Sequence, residues 1–397
     1  MHSFAESLAQ AKALTLQGRL VEATRLIQTG LGIERFAPPD ATPKNAEARS
    51  NVYFNTPPIP NPSSSSTRPA PVWHAYKANA VDIDFREGAD VAVPPAAITP
   101  PVADSPASFT FHAIQSGSQS YHYRLFVPSR SVVAPALPIV VMLHGCKQNA
   151  EDFARGTAMN AIAEREKFIV VYPEQMRHAN TMGCWNWFEP QHQQRGQGEP
   201  AMIAALVAKL VAGHVGDASR VYIAGLSAGG AMAALVGQLY PDVFAAVGVH
   251  SGLAPAAAHN VVSALSAMRQ GPGAGALRPV TLPLIVFQGA GDTTVVPANA
   301  QALVKTELQA LAARDTVLQK SSEEANPDAG RKATRERWID TNGKCRVESW
   351  NVVAGPHAWA GGDATGSFTD PQGPSASEAM FSFFRLHSKA SMASKSM

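Results

Sequence analysis

The sequence predicts an α/β fold: a mostly parallel central sheet with helices on both faces, preceded by an N-terminal helix and a Pro/Ser-rich linker. Three observations carry that reading. From about residue 108 onward, short apolar runs alternate with longer segments of helical character, as a parallel sheet covered on both faces requires. One of these runs, Val221-Tyr222-Ile223-Ala224, leads through Gly225-Leu226-Ser227-Ala228-Gly229 into an Ala/Gly-rich helical stretch. The length of 397 residues, 45% hydrophobic and 16% charged, is ample for one large α/β core with material to spare.

In residues 1–34, Phe4, Leu8, Ala11, Leu16, Leu20, Ala23 and Ile27 recur at helical spacing, which describes an amphipathic helix. Glu6, Lys12, Arg19, Glu22 and Arg25 leave no continuous apolar centre, so the segment does not read as a signal peptide. A cytoplasmic location is therefore expected, with export by a route not visible in the sequence as the alternative. The helix either packs on the domain that follows or on another subunit, or docks on a hydrophobic surface. Residues 35–107 are rich in Pro, Ser, Ala and Asn, with Ser63-Ser64-Ser65-Ser66 and paired prolines at Pro38-Pro39, Pro57-Pro58, Pro94-Pro95 and Pro100-Pro101. That composition predicts a partly disordered linker.

The α/β domain is expected over residues 108–390, with 391–397 as a short polar tail. It opens on an antiparallel hairpin, Phe109–Ile114 and Tyr121–Val127, turning at Ser116-Gly117-Ser118. Strand 138–143, a helix near 151–166, strand 168–172 and a helix near 199–214 follow. Strand 221–225 and its helix come next, then strands 243–249 and 281–288, a helix near 297–314, strand 346–353 and a helix near 376–388. The charged stretch 315–340, with Ser321-Ser322-Glu323-Glu324, reads as an exposed insertion.

The strand-turn-helix around Ser227 is the nucleophile elbow of an α/β-hydrolase. Glycines flank the serine because strand and helix must approach closely while the turn holds a strained backbone angle. In this fold the acid and base follow in chain order. Asp292 lies just past the buried strand Leu282-Pro283-Leu284-Ile285-Val286-Phe287-Gln288-Gly289, at a strand's carboxyl end, where this architecture keeps site residues. Its plainer role would be to shape a turn or to cap the helix near Pro297. His357, in Gly355-Pro356-His357-Ala358-Trp359 after the last strand, stands out among twelve histidines by position. His144 and His250 are weaker competitors. Backbone N–H groups of Ala228, directly after the serine, and of Cys146, in the loop His144-Gly145-Cys146, are the candidate oxyanion donors.

The segments Leu143-His144-Gly145-Cys146-Lys147-Gln148, Cys184-Trp185-Asn186-Trp187-Phe188, Gly225 to Met232, the Asp292 loop and Gly355 to Trp359 occur here in family order. Together they resemble the esterase family that includes polyhydroxybutyrate depolymerases and the related feruloyl and acetylxylan esterases, over roughly residues 108 to 388. The resemblance implies a serine esterase acting on a polyester, or on esters decorating plant polysaccharide. It also suggests that Cys146 and Cys184 pair, bracing the oxyanion loop and leaving Cys345 free. Against that stands the absence of an export signal, since thiols in reducing compartments stay reduced. Trp185, Trp187, Phe188 and Trp359 are candidate substrate contacts, forming an apolar platform. Asn186, Gln191 and His192 would serve a sugar-facing cleft instead. Hydroxybutyrate polymer or oligomers are the expected substrate, a carbohydrate ester the alternative, and a non-catalytic granule-binding protein the reading from a different class. No Cys/His grouping has metal-ligand spacing, and the chemistry asks for no cofactor. A net charge of +2 without a dense basic run gives no reason to expect nucleic acid, and no run approaches the ~20 apolar residues of a membrane span.

Overall fold

The computed structural model describes residues 105–116, 119–130, 135–213, 216–273, 275–325 and 330–389, together with Gln10. The expected amphipathic helix, nearly all of the linker, and the tail lie outside the described residues. In chain order the strands are β1 (Ser108–Ser116), β2 (Gln119–Val127), β3 (Leu137–Leu143), β4 (Ile169–Pro173), β5 (Gly216–Leu226), β6 (Ala246–His250), β7 (Leu284–Gly289), β8 (Leu318–Ala325), β9 (Ala333–Asp340), β10 (Cys345–Val352), β11 (Trp359–Ala360) and β12 (Thr369–Asp370). The helices are α1 (Ala150–Thr157), α2 (Met159–Glu166), α3 (Gly198–Ala212), α4 (Ala228–Leu239), α5 (Val261–Gln270), α6 (Ala298–Ala312) and α7 (Ala376–Phe384).

Strands β1 to β10 form one ten-stranded sheet in the order β1-β2-β4-β3-β5-β6-β7-β10-β9-β8. Its centre, from β4 through β10, is parallel. Both ends finish in antiparallel strands, β1 and β2 on one side and β9 and β8 on the other. This is an α/β-hydrolase fold, as the alternating pattern predicts. Every residue of β3 is buried, because helices cover both faces. Its side chains alternate between two cores: Ile139, Val141 and Leu143 join Ile223, Val247 and Met232, while Val140 and Met142 join Tyr222, Phe287 and Phe384. The Tyr222 and Phe384 rings stack 5.0 Å apart, fixing α7 against the sheet.

Three local differences from the sequence reading have physical causes. The helix expected over 151–166 is two helices, broken at Ala158, whose φ of 51° is left-handed and ends α1. Helix α5 went unread although Asn260 and Ser263 form a reciprocal capping box at its start. The stretch 315–340, read as an exposed insertion, is exposed in large part and contains β8 and β9, two strands the sequence reading did not assign. Its charges pair across the strands, Arg335 with Glu323 at 2.9 Å and Lys320 with Glu336 at 2.5 Å, as suits a half-solvated antiparallel edge. Among the described residues, no helix is long and apolar enough to cross a membrane.

Candidate active site

The carboxyl ends of β3, β5, β6, β7 and β10 open on one edge of the sheet, and every candidate catalytic residue sits in the loops that leave it. Ser227 directly follows β5 with φ 58° and ψ −119°, a conformation that costs a non-glycine residue about 1–3 kcal/mol. The turn is held from both sides. The Ser227 N–H donates to the His250 carbonyl at 2.9 Å, and the Ser227 carbonyl accepts from Ala231 N at 2.9 Å as α4 begins. The flanking glycines are steric necessities: a Cβ at Gly229 would lie 2.1 Å from the Leu143 carbonyl oxygen, and one at Gly225 would lie 2.4 Å from the Gly229 backbone.

The loop after β3 lies against this elbow, since a Cβ on Gly145 would stand 3.6 Å from Ser227 Cβ. Gln148 shapes the loop. Its Oε1 accepts from Gly145 N at 2.9 Å, and its Nε2 donates to the Ser367 carbonyl at 2.8 Å. Lys147 N donates to the Met182 carbonyl at 2.8 Å. Among the described residues, the N–H groups of Cys146 and Ala228 have no acceptor, so both predicted oxyanion donors are unspent. Cys146 and Cys184 are joined by a disulfide, and Cys345 is free and buried. His144 is fully buried between Gly145 O and Gln175 N, at 2.8 and 3.1 Å, and burial pushes its pKa down to about 4. That is a structural histidine.

Asp292 and His357 meet because their loops are pressed together: Ala290 N donates to Val352 O at 2.8 Å and Gly291 N to Gly355 O at 2.9 Å. The His357 Nδ1 stands 2.7 Å from Asp292 Oδ2. The other oxygen, Oδ1, accepts from Thr294 N and Val295 N at 2.9 Å each, so Asp292 also shapes its turn, and Gln288 Nε2 reaches Oδ2 at 3.3 Å. Burial alone would raise the Asp292 pKa. The hydrogen bond and charge of His357, with the two backbone donors, outweigh it and hold the carboxyl below its ordinary value. Among the described residues, the Asp292–His357 bond is the only hydrogen bond formed within the Ser227, Asp292 and His357 set.

The aromatic platform needs correction. Trp185, Trp187, Phe188 and Trp359 are all buried, Trp185 and Trp359 at 0% and 1% exposure, and they pack in the two cores instead of facing solvent. Trp359 lies 5.4 Å from Phe153 and donates from Nε1 to Ser377 Oγ. Asn186 is equally structural, its backbone and side-chain N–H groups donating to Glu199. His192 is buried and accepts from Glu199 N at 3.0 Å, whereas Gln191 is exposed. Sequence reasoning missed Glu199, a buried carboxyl that also accepts from Gln175 Nε2. Desolvation, opposed by these donors, lifts its pKa to about 7. Its only signal in the sequence is an acidic residue opening an otherwise apolar helix. Gln175 and Gln288 carried none, and Gln148 stood out only as the last residue of the Leu143–Gln148 motif.

Comparison with known proteins shows the family and the fold. A family model described as Esterase PHB depolymerase matches residues 121–339, more than half of the chain, and the chain belongs to that family. Poly(3-hydroxyalkanoate) depolymerase C of Paucimonas lemoignei is 35% identical over 202 residues, 48% of this chain and 49% of the relative. Feruloyl esterase B of Thermothelomyces thermophilus is 37% identical over 131 residues, 33% of this chain and 43% of that protein. The probable acetylxylan esterase A of Aspergillus fumigatus is 28% identical over 211 residues, 48% and 54% of the two chains. The chain thus spans about half the length of the curated relatives it matches. Among solved structures, an acetyl xylan esterase from Aspergillus awamori superposes with a TM-score of 0.53 at 19% identity, covering 70% of this chain and 99% of that one. That likeness concerns the fold.

Proposed function

We propose that this protein is a serine esterase that hydrolyses hydroxybutyrate or other hydroxyalkanoate esters through Ser227, His357 and Asp292. The observation that carries the reading is the Asp292–His357 bond beside a strained Ser227 elbow. Asp292 takes the Nδ1–H, which leaves Nε2 of His357 as the base. Ser227 Oγ attacks the ester carbonyl as His357 takes its proton, the serine-to-histidine contact tightening when substrate binds. The N–H groups of Cys146 and Ala228 receive the oxyanion, a contribution of about 100- to 1,000-fold in rate at such sites. Collapse of the tetrahedral intermediate expels the alcohol, protonated by His357, and leaves an acyl-Ser227. Water, deprotonated by His357, then attacks the acyl group and releases the acid.

The polyester substrate is supported by the family match and by the depolymerase relative. The feruloyl and acetylxylan relatives favour a second reading, a carbohydrate ester on the same machinery. The test is turnover of amorphous polyhydroxybutyrate and hydroxybutyrate oligomers beside methyl ferulate and acetylated xylan, with Ser227→Ala as control. Hydroxybutyrate release, lost in the variant, is expected. Ferulate or acetate release alone would replace the polyester reading by the carbohydrate one.

A further inference from the structure

His250 ends β6, the strand that lies between the two strands delivering nucleophile and acid. The register is Leu226 opposite His250 opposite Phe287. Ser227 follows Leu226, and the Asp292 loop leaves β7 two residues past Phe287. Two separate groups of this one residue hold the two remaining parts of the site. Its carbonyl accepts from the N–H of Ser227 at 2.9 Å, and its ring Nε2 accepts from the N–H of Ala360 at 3.0 Å, three residues past His357. Because Nε2 accepts, the ring proton sits on Nδ1, which faces Ser251 Oγ at 3.1 Å. The ring is stacked with Phe287 at 5.7 Å and with Trp359 at 5.1 Å, and it is 1% exposed. Burial first, and then the charge of His357, keeps this imidazole neutral, with its pKa down at about 3.

We propose that His250 is a positioning residue that couples the nucleophile elbow to the histidine loop, setting His357 relative to Ser227 through its bond to Ala360. It touches no reacting atom. The inference rests on the esterase reading of Ser227, Asp292 and His357. An apolar ring would fill the same space as imidazole but would strand the Ala360 N–H, a buried donor with no alternative acceptor shown beside it. The loop then relaxes, and a shift of about 1 Å in a catalytic group costs on the order of 100-fold in rate. A packing role alone predicts otherwise, since phenylalanine packs between Phe287 and Trp359 at least as well as imidazole.

The experiment compares His250→Phe with His250→Gln on a soluble hydroxybutyrate oligomer. The glutamine Oε1 takes the place of Nε2 as acceptor. In His250→Phe, kcat is expected to fall about 100-fold with KM within about 3-fold of the parent, and phosphonylation of Ser227 by a fluorophosphonate to slow in step. His250→Gln is expected to restore kcat to within about 5-fold of the parent. Parental kcat in His250→Phe would overturn the proposal, as would equal losses in both variants. A further readout needs neither folding of a variant nor turnover. Nitrogen-15 NMR of the imidazoles in the parent protein is expected to show His250 as the Nδ1–H tautomer with a bare Nε2, and an Nε2–H tautomer would overturn the proposal. If the parent hydrolyses none of the esters, the functional reading fails, while the tautomer result still decides the geometry on which His250 depends.

Discussion

The elbow at Gly225–Gly229 and the segment Cys184–Phe188 both read from the sequence as parts of one site, yet different physics built them. The elbow consists of small residues, and its identities follow from backbone proximity: Gly225, Gly229 and the Leu143 carbonyl leave no room for a Cβ. The second segment consists of large residues whose identities follow from burial. Trp185, Trp187 and Phe188 fill a core, Asn186 binds Glu199, and Cys184 ties the segment to Cys146 in the loop after β3. Residues near a reacting centre are thus of two kinds, those that do chemistry and those that hold the floor beneath it. Changes in the first should stop turnover without unfolding the chain. Changes in the second should act mainly on stability.

The largest expected effect tests the first half of that contrast. Ser227→Ala is expected to cut kcat by about 10⁶-fold, and Asp292→Asn by about 10⁴-fold through the wrong imidazole tautomer, each with a melting temperature close to the parent's. Steady-state kinetics beside calorimetry checks this, and an Asp292→Asn enzyme with near-parental kcat would break it. On the second region, reducing the Cys146–Cys184 bond opens a loop spanning 38 residues of sequence separation, worth about 4 kcal/mol in chain entropy. Denaturant titration with and without reductant measures it. Thiol titration of the denatured, unreduced protein should find Cys345 alone. In the native state that thiol should be inert, since burial, and secondarily the charge of Glu348, push its pKa up to about 11.

Glu199 gives the next effect and fixes its sign. Its carboxyl is raised from 4.5 to about 7 in the fold, so the folded state binds the proton more tightly than the unfolded one. The stability this contributes is full below about pH 4.5 and is lost as pH rises through about 7. The stability difference between Glu199→Gln and the parent should therefore shift in the variant's favour between pH 5 and pH 8, by up to about 3 kcal/mol. A difference that is flat with pH, followed by thermal melts, would remove Glu199 as a titrating brace. The smallest effect concerns Trp185: replacement by Phe should cost stability, about 1–3 kcal/mol, and change KM by less than about 3-fold. A large rise in KM would restore the substrate-platform role that its burial denies.

The same contrast explains what was legible in the sequence. Ser227 could be found because strand, glycines and helix are contiguous, so a local pattern encodes a local turn. Asp292 and His357 could be found because strand ends are countable and the fold fixes their order. The aromatic residues misled because composition cannot distinguish a buried tryptophan from an exposed one. Gln148, Glu199 and His250 act through partners far away in sequence, Gln148 reaching Ser367 and His250 reaching Ala360, and no local pattern announces such contacts. The β8–β9 hairpin hid for another reason: cross-strand ion pairs make an edge look like a loop when read along the chain.

The central claim is that Ser227 is the nucleophile activated by His357. Peptide-mass mapping after reaction with a fluorophosphonate tests it most directly. One equivalent of label on the Ser227 peptide, absent in Ser227→Ala and strongly slowed in His357→Ala, is the predicted result. Ester turnover that persists in Ser227→Ala, or a label that settles on another residue, would contradict it.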